Sequence, residues 1–326
     1  MKSKWTIQIL VLLASLVLNI VTSPTQIVMA APAVLEVCSS GCTYSTIQEA
    51  VDAASSGDEI RIATGTYTGV TSPNGVAQMV YITKSLTLRG GYNADFTTWD
   101  PETYPTVLDA EAQGRVFYID GSYAAELITV TLDGLEIVGG QWNTSEYVGY
   151  NDLTSLSNSW WKAALGGGMR VRKTNLTMDH CLLKNNHTPN GVGSGLFQHY
   201  GSFTMRNSVV ESNGGTGTNF PFLGQVGGGL FFLQVTVDIS NATIQNNSAG
   251  YGNSNLSAEA DGGGIFLNHS TATIDHTLFQ GNKASMNEYG RGGAVYSTFG
   301  SLTLSDSSVL NNMGCEVHRY CIGGGI

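Results

Sequence analysis

GGGLFFLQVTVDISNATIQNN, Gly227 to Asn247, is the stretch on which the reading of the fold turns. It opens on three glycines, alternates apolar and polar residues through its middle, and closes on two asparagines. Counted from Gly229, Ile239 stands ten residues on, Ile244 fifteen and Asn247 eighteen. The same spacing recurs outward in both directions. Gly168 leads to Met178, Leu183 and Asn186, and Gly195 to Met205, Val210 and Asn213; Gly264 leads to Ile274, Phe279 and Asn282, and Ala294 to Leu304, Val309 and Asn312. Between each asparagine and the next glycine cluster the length varies freely. A rigid core with a tolerant loop is the mark of a solenoid repeat.

The period within the core is two, a strand pattern, and not the helical period of ankyrin or tetratricopeptide arrays. The expected fold is therefore all-β, a right-handed parallel β-helix whose coils pair at about 4.8 Å and whose apolar rows pile up inside. Asn186, Asn213, Asn247, Asn282 and Asn312 are expected to form a ladder at one corner. There the chain turns sharply, asparagine tolerates φ > 0, and each amide can bond to the next. The glycines serve a neighbouring corner where Cβ atoms would crowd.

Towards the N-terminus, Ser45-Thr46-Ile47-Gln48 reads as a capping box, and Ile47, Ala50, Val51 and Ala54 form the apolar stripe of a short helix ended by Gly57-Asp58. Such a helix suits the open end of a solenoid as a cap. Strand-like runs follow at 59–62, 80–82 and 85–88. Residues 130–140 resemble the repeat core, with Leu132 and Ile137 in the apolar rows and Gly140 where asparagine would stand.

Composition agrees. Of 326 residues 12% are charged, with Gly 41, Pro 7 and a formal net charge of −10. Low charge and abundant glycine argue against a helical bundle and against disorder. The acidic balance excludes a nucleic-acid partner, which needs clustered Lys and Arg. Residues 1–30 read as a signal peptide: Lys2 and Lys4, an apolar run over 7–21, and a cleavage site after Ala30 or Ala31. Cleavage removes two positive charges, taking −10 to −12. The remainder, 31–326, is one β-helix domain with no membrane span, secreted or on the cell envelope. It stops just inside a new glycine cluster, so a truncated C-terminus is expected. Export permits disulfides, and Cys38 with Cys42, and Cys315 with Cys321, are expected as local staples. Cys181 is left over, a buried small hydrophobe. The spacings offer no zinc site.

Two resemblances follow. Thr46-Ile47-Gln48-Glu49-Ala50-Val51-Asp52-Ala53-Ala54, then Gly57-Asp58-Glu59-Ile60, Gly65-Thr66-Tyr67 and ITKSLTLRGGY from Ile82 to Tyr92, are similar to the opening of the pectin-lyase-like β-helix superfamily. Phe279-Gln280-Gly281-Asn282 and Gly292-Gly293-Ala294-Val295 resemble the FxxN and GGA-aliphatic repeats of chlamydial polymorphic outer membrane proteins. The first implies the fold, and leaves open a polysaccharide lyase or glycoside hydrolase. The second implies a surface adhesin, although no membrane barrel follows.

Enzymes of this fold group carboxylates across adjacent coils. Asp179 and Asp275 share a repeat position, with Arg206 and Ser240 between them and Ser305 beyond. His180 and His276 share the next position. Neither pair is close enough to act together. Arg170 and Arg172 read as surface ion-pair partners of Asp179. No Asn-Thr-Asp or Gly-His-Gly motif is present. No catalytic residue is assigned.

The loops carry more. Trp142, Tyr147, Tyr150, Trp160 and Trp161 crowd the longest, Phe220 and Phe222 a second, and Tyr251, Tyr289 and Tyr320 the others. Aromatics along one face suit stacking on sugars or a partner protein. Glu259, Asp261, Glu288 and Glu316 could add Ca²⁺ there; no other cofactor is expected. The sequence thus points to a secreted or surface-displayed, adhesin-like module binding polysaccharide or a cell-surface partner. The alternatives are the enzyme and a structural envelope spacer.

Overall fold

The alternation in Gly227–Asn247 becomes one long strand, Leu230–Ser240, bent at Gln234, and one short strand, Thr243–Gln245. These belong to a computed structural model of the chain that describes residues 31–72, 76–141, 165–188, 192–215, 226–250, 260–285, 289–316 and 320–326, with the backbone alone at 289 and 320. Every ladder between described strands is parallel. Met169 lies beside Leu196, Leu196 beside Leu230, Leu230 beside Ile265, and Ile265 beside Val295, without slippage. The long strands build a 13-stranded sheet and the short ones an 8-stranded sheet. The fold is the all-β parallel β-helix that the spacing implies, with Ala33–Ile326 forming one unit.

The apolar rows line the lumen. Met178, Met205, Ile239 and Ile274, with Leu183, Val210, Ile244 and Phe279, are all fully buried in one cluster. Helix α1 (Ile47–Ala53) joins its N-terminal end, burying Ile47, Ala50 and Val51 near Val37 and Ile60. The capping box lies one residue later than read from the sequence: Thr46 is the extended N-cap, its hydroxyl accepts from the Glu49 N–H at 3.2 Å, and the Glu49 carboxylate accepts from the Thr46 N–H at 3.1 Å.

Among the described residues the later coils share four equivalent left-handed positions; in this one they are Gly227 (φ 66°), Gln234, Asn241 and Asn246 (φ 50–55°). Asn247 is not among them, nor are the other ladder asparagines. This corrects the reason given for them: the residue before each takes the positive φ, at Asn185, Ser212, Asn246, Gly281 and Asn311. The second and third glycines of a cluster serve close packing. A Cβ on Gly228 would lie 2.4 Å from the Ser248 carbonyl carbon and 2.5 Å from Gly263 O, leaving it no room.

In Leu230–Ser240 alternation holds only in the second half of the strand, since Leu230 to Leu233 is a continuous apolar run. The first half of these strands is instead buried on both faces. Leu230 and Phe232 face the lumen, while Phe231 and Leu233 join a second apolar cluster with Leu165, Val192, Phe197, Val226 and Phe266. Phe197, Phe231 and Phe266 stack at centroid distances of 5.3 and 4.8 Å.

The expected signal peptide, residues 1–30, lies outside the described residues. Among the described residues no helix is long and apolar enough to cross a membrane.

Candidate functional site

The second half of each long strand ends on an outward residue at a corner of the coil. Arg89, Asp133, Asp179 and Arg206 hold this position in successive coils, followed by Ser240, Asp275 and Ser305. Asp133 therefore stands directly beside Asp179. This corrects the sequence reading, which compared Asp179 only with later coils. Asp133 follows Leu132 as Asp179 follows Met178, so the signal was present one coil upstream.

His180, left-handed at φ 48°, turns its ring back between them. Its Nδ1 lies 3.2 Å from Asp133 Oδ1 and 3.2 Å from Asp179 Oδ1. Two carboxylate oxygens facing one ring nitrogen place the proton on that nitrogen. Arg89 Nε donates to Asp133 Oδ2 at 2.9 Å, and Asn207 Nδ2 donates to Asp179 Oδ1 at 2.9 Å. Trp99 completes the corner. Its indole N–H donates to Gly90 O at 2.8 Å, the Arg89 guanidinium sits 5.8 Å over its ring, and the His180 ring meets it edge-on at 5.5 Å. Trp99 is 38% exposed and Asp133 8%. The result is an aromatic surface ringed by planar polar groups from adjacent coils.

Arg170 and Arg172 do not pair with Asp179. Both lie on the first half of their strand, beside Tyr118 and Asp120. Arg170 is buried, 5.1 Å over the Tyr118 ring, and burial lowers its pKa to about 10. Arg172 Nη1 lies 3.4 Å from Asp120 Oδ2, which also accepts from the Tyr118 hydroxyl at 2.9 Å. The bend at Lys173 separates them from Asp179.

Asp275 and His276 sit three coils on, as expected. Asp275 Oδ2 is 2.6 Å from His276 Nδ1, and Oδ1 accepts from Ser305 Oγ at 2.7 Å. The hydrogen bond from Asp275 raises His276 above the ordinary histidine value, and the bonds from Ser305 and then His276 lower Asp275. With Asp306 they bring three donors within 4.8 Å of one another at the surface, short of the six to eight oxygens calcium takes. The calcium face read from the loops divides. Asp261 is buried in a paired contact with Arg291 at 2.6 and 2.9 Å, Glu316 faces Lys283 at 3.6 Å, and Glu259 and Glu288 lie outside the described residues.

The five asparagines line one edge. Nδ2 of Asn186, Asn213, Asn247 and Asn282 donates to Oδ1 of the next at 2.9, 3.0, 3.0 and 2.9 Å, ending at Asn312. Cys38 is bridged to Cys42 and Cys315 to Cys321. Cys181 is free and buried, and burial pushes its thiol up to about 12. Trp142, Tyr147, Tyr150, Trp160, Trp161, Phe220, Phe222 and Tyr251 lie outside the described residues, as do the side chains of Tyr289 and Tyr320.

The corner and its fold define a parallel β-helix protein with a polar, aromatic-bearing edge. Two solved structures are similar to it, both of pectin methylesterase from Aspergillus niger. The deglycosylated form matches at 13% identity and TM-score 0.39 over 86% of each chain. The penultimately deglycosylated form matches at 17% identity and TM-score 0.37, over 89% of this chain and 82% of that one. No protein-family model matches the chain. No curated protein matches it either.

Proposed function

We propose that the protein is a secreted or cell-surface β-helix module that binds a neutral polysaccharide, with the Trp99 corner as its described contact surface. The observation that carries this reading is the exposed indole of Trp99 framed by Arg89, Asp133, Asp179, His180 and Asn207. A sugar ring offers an apolar face to an aromatic and equatorial hydroxyls to planar carboxylate, guanidinium and amide groups. One guanidinium, Arg89, stands among the carboxylates of Asp133, Asp179 and Glu59, so the corner offers no net positive field to a polyuronate. The signal-like leader and the resemblance to surface adhesins support an exported, adhesin-like role, which the loop aromatics would extend.

The test is binding to a panel of neutral and uronate-rich polysaccharides. Trp99→Ala should weaken the neutral-glycan signal at least about tenfold, the loss of roughly 1.4 kcal/mol, while Trp99→Phe keeps most of it. Binding untouched by Trp99→Ala but removed by Trp160→Ala/Trp161→Ala would move the site to the loops.

A second reading rests on Asp133 and Asp179 flanking one imidazole on adjacent coils, the kind of carboxylate pair a glycoside hydrolase needs. Both oxygens of Asp133 are engaged, by Arg89 and His180, which suits a fixed hydrogen-bond acceptor better than a proton donor. Release of reducing ends, lost in Asp179→Asn, would favour the enzyme.

A further inference from the structure

The second half of the long strands presents a second outward surface, beside the charged corner. Register places Thr87, Thr131, Thr177, Thr204, Thr273 and Thr303 in one column, interrupted by Asp238 and preceded by Val34 and Glu59 in the first coils. Two residues earlier in each strand runs a companion column: Thr129, Ser202, Thr236, Thr271 and Ser301, with Asn175 as its exception. The residue between the two is a lumen residue in every coil, such as Leu176, Phe203 or Val237. All these hydroxyl-bearing side chains are half-buried or exposed.

Solvent-facing strand positions favour threonine in general, so the other sheet serves as an internal control. Its outward columns run Thr66, Val107, Glu136, Leu182, Val209, Thr243, Leu278, Ser308 and Asp109, Val138, Lys184, Glu211, Gln245, Gln280, Leu310. Hydroxyls there are the exception, under the same backbone constraints. The array on the long sheet is therefore a property of that face and not of solvated strands. Its threonine hydroxyls also make no hydrogen bond within the described residues, although Ser202 Oγ donates to Asn175 Oδ1 at 2.9 Å. They remain available to a partner outside the chain.

We propose that this face binds ice. The hydroxyls repeat at about 4.8 Å from coil to coil and about 6.6 Å along each strand, both close to oxygen repeats in the lattice of hexagonal ice. Each threonine adds a methyl group that orders the water beside it. One hydroxyl contributes little net binding, because it exchanges one water contact for another. Only an in-register array sums many such contacts on a rigid surface. A free glycan is a weaker candidate for this face, since no described aromatic ring stands in either column. In the neighbouring charged column Arg89 is tied to Asp133, and Asp179 accepts from Asn207 Nδ2.

The experiment is partition of the full chain into a growing ice front, together with ice-grain coarsening in annealed frozen films. Thr177→Lys/Thr204→Lys alters the array at two outward positions. Thr243→Lys alters the other sheet, and circular dichroism verifies that all three proteins are folded. The unmodified chain and Thr243→Lys should enter the ice and keep grains small; the double variant should stay in the liquid and let grains coarsen as in buffer. Exclusion of the unmodified chain from ice, or equal entry of the double variant, would overturn the proposal.

Discussion

Asn213 uses both ends of its amide. Nδ2 donates to Leu183 O at 2.8 Å and to Asn247 Oδ1 at 3.0 Å, while Oδ1 accepts from the backbone N–H and Nδ2 of Asn186 at 3.1 and 2.9 Å. The residue is 1% exposed, so water cannot replace these partners. Asn213→Ala leaves the Asn186 N–H and the Leu183 carbonyl unsatisfied at about 1–3 kcal/mol each. A loss on the order of 3 kcal/mol in urea unfolding is expected. An unchanged midpoint would show that the ladder is geometry without energetic consequence. Asparagine was legible as a ladder residue from its spacing alone, but its reason was not. The positive φ falls on the residue before it, which is Asn, Ser or Gly in different coils, so no single residue type marks it.

Helix α1 shows the same division one level up. Its apolar stripe placed the helix, and its box slipped by one residue because Ser45 and Thr46 are both competent caps and only the backbone chooses. Thr46 carries the extended φ/ψ of −121° and 149°, and Glu49 completes the reciprocal bond. Thr46→Ala should lower stability by about 1 kcal/mol, and Ser45→Ala by much less, read from thermal or urea unfolding. The reverse order would return the cap to Ser45. The long strands follow their sequence in two halves: in Leu230–Ser240 the continuous apolar run LFFL is buried on both faces, and only the alternating second half is wet. Alternation records which side chains share a face. Whether anything covers the outer face depends on segments far along the chain.

Across the whole coil stack, identical repeat positions become neighbours, and charge acts between coils. Lys184 Nζ lies 2.7 Å from Glu211 Oε1, and Gln245 Nε2 donates to Glu211 Oε2 at 2.8 Å, so three coils are tied on the short sheet. The hydrogen bonds from Lys184 and then Gln245 hold Glu211 below the ordinary glutamate value of 4.5. A carboxyl depressed in the folded chain stabilises it fully above the unfolded value, and that contribution is lost as pH falls through the folded one. Carboxyl NMR should therefore give Glu211 a midpoint below 4.5, moved upward by Lys184→Gln. The pair is partly exposed, so the stability change should stay within about 1 kcal/mol. An unshifted midpoint in the unmodified chain would dissolve the tie.

The repeat needed no coordinates. A lumen that favours apolar side chains, and a corner that admits only small residues, impose the same spacing on every coil, so the pattern of one coil appears in the next. The polar corner did need them. Asp133 and His180 lie 47 residues apart, whereas Asn186 and Asn213 lie 27 apart. Leu132 keeps its repeat position across the long excursion, but no spacing reports the turn of His180 or the approach of Trp99. Parallel pairing fixes the alignment, because strands stack by register and not by distance along the chain. It brings two carboxylates, an imidazole and an indole to one edge, and it sets the threonines in file.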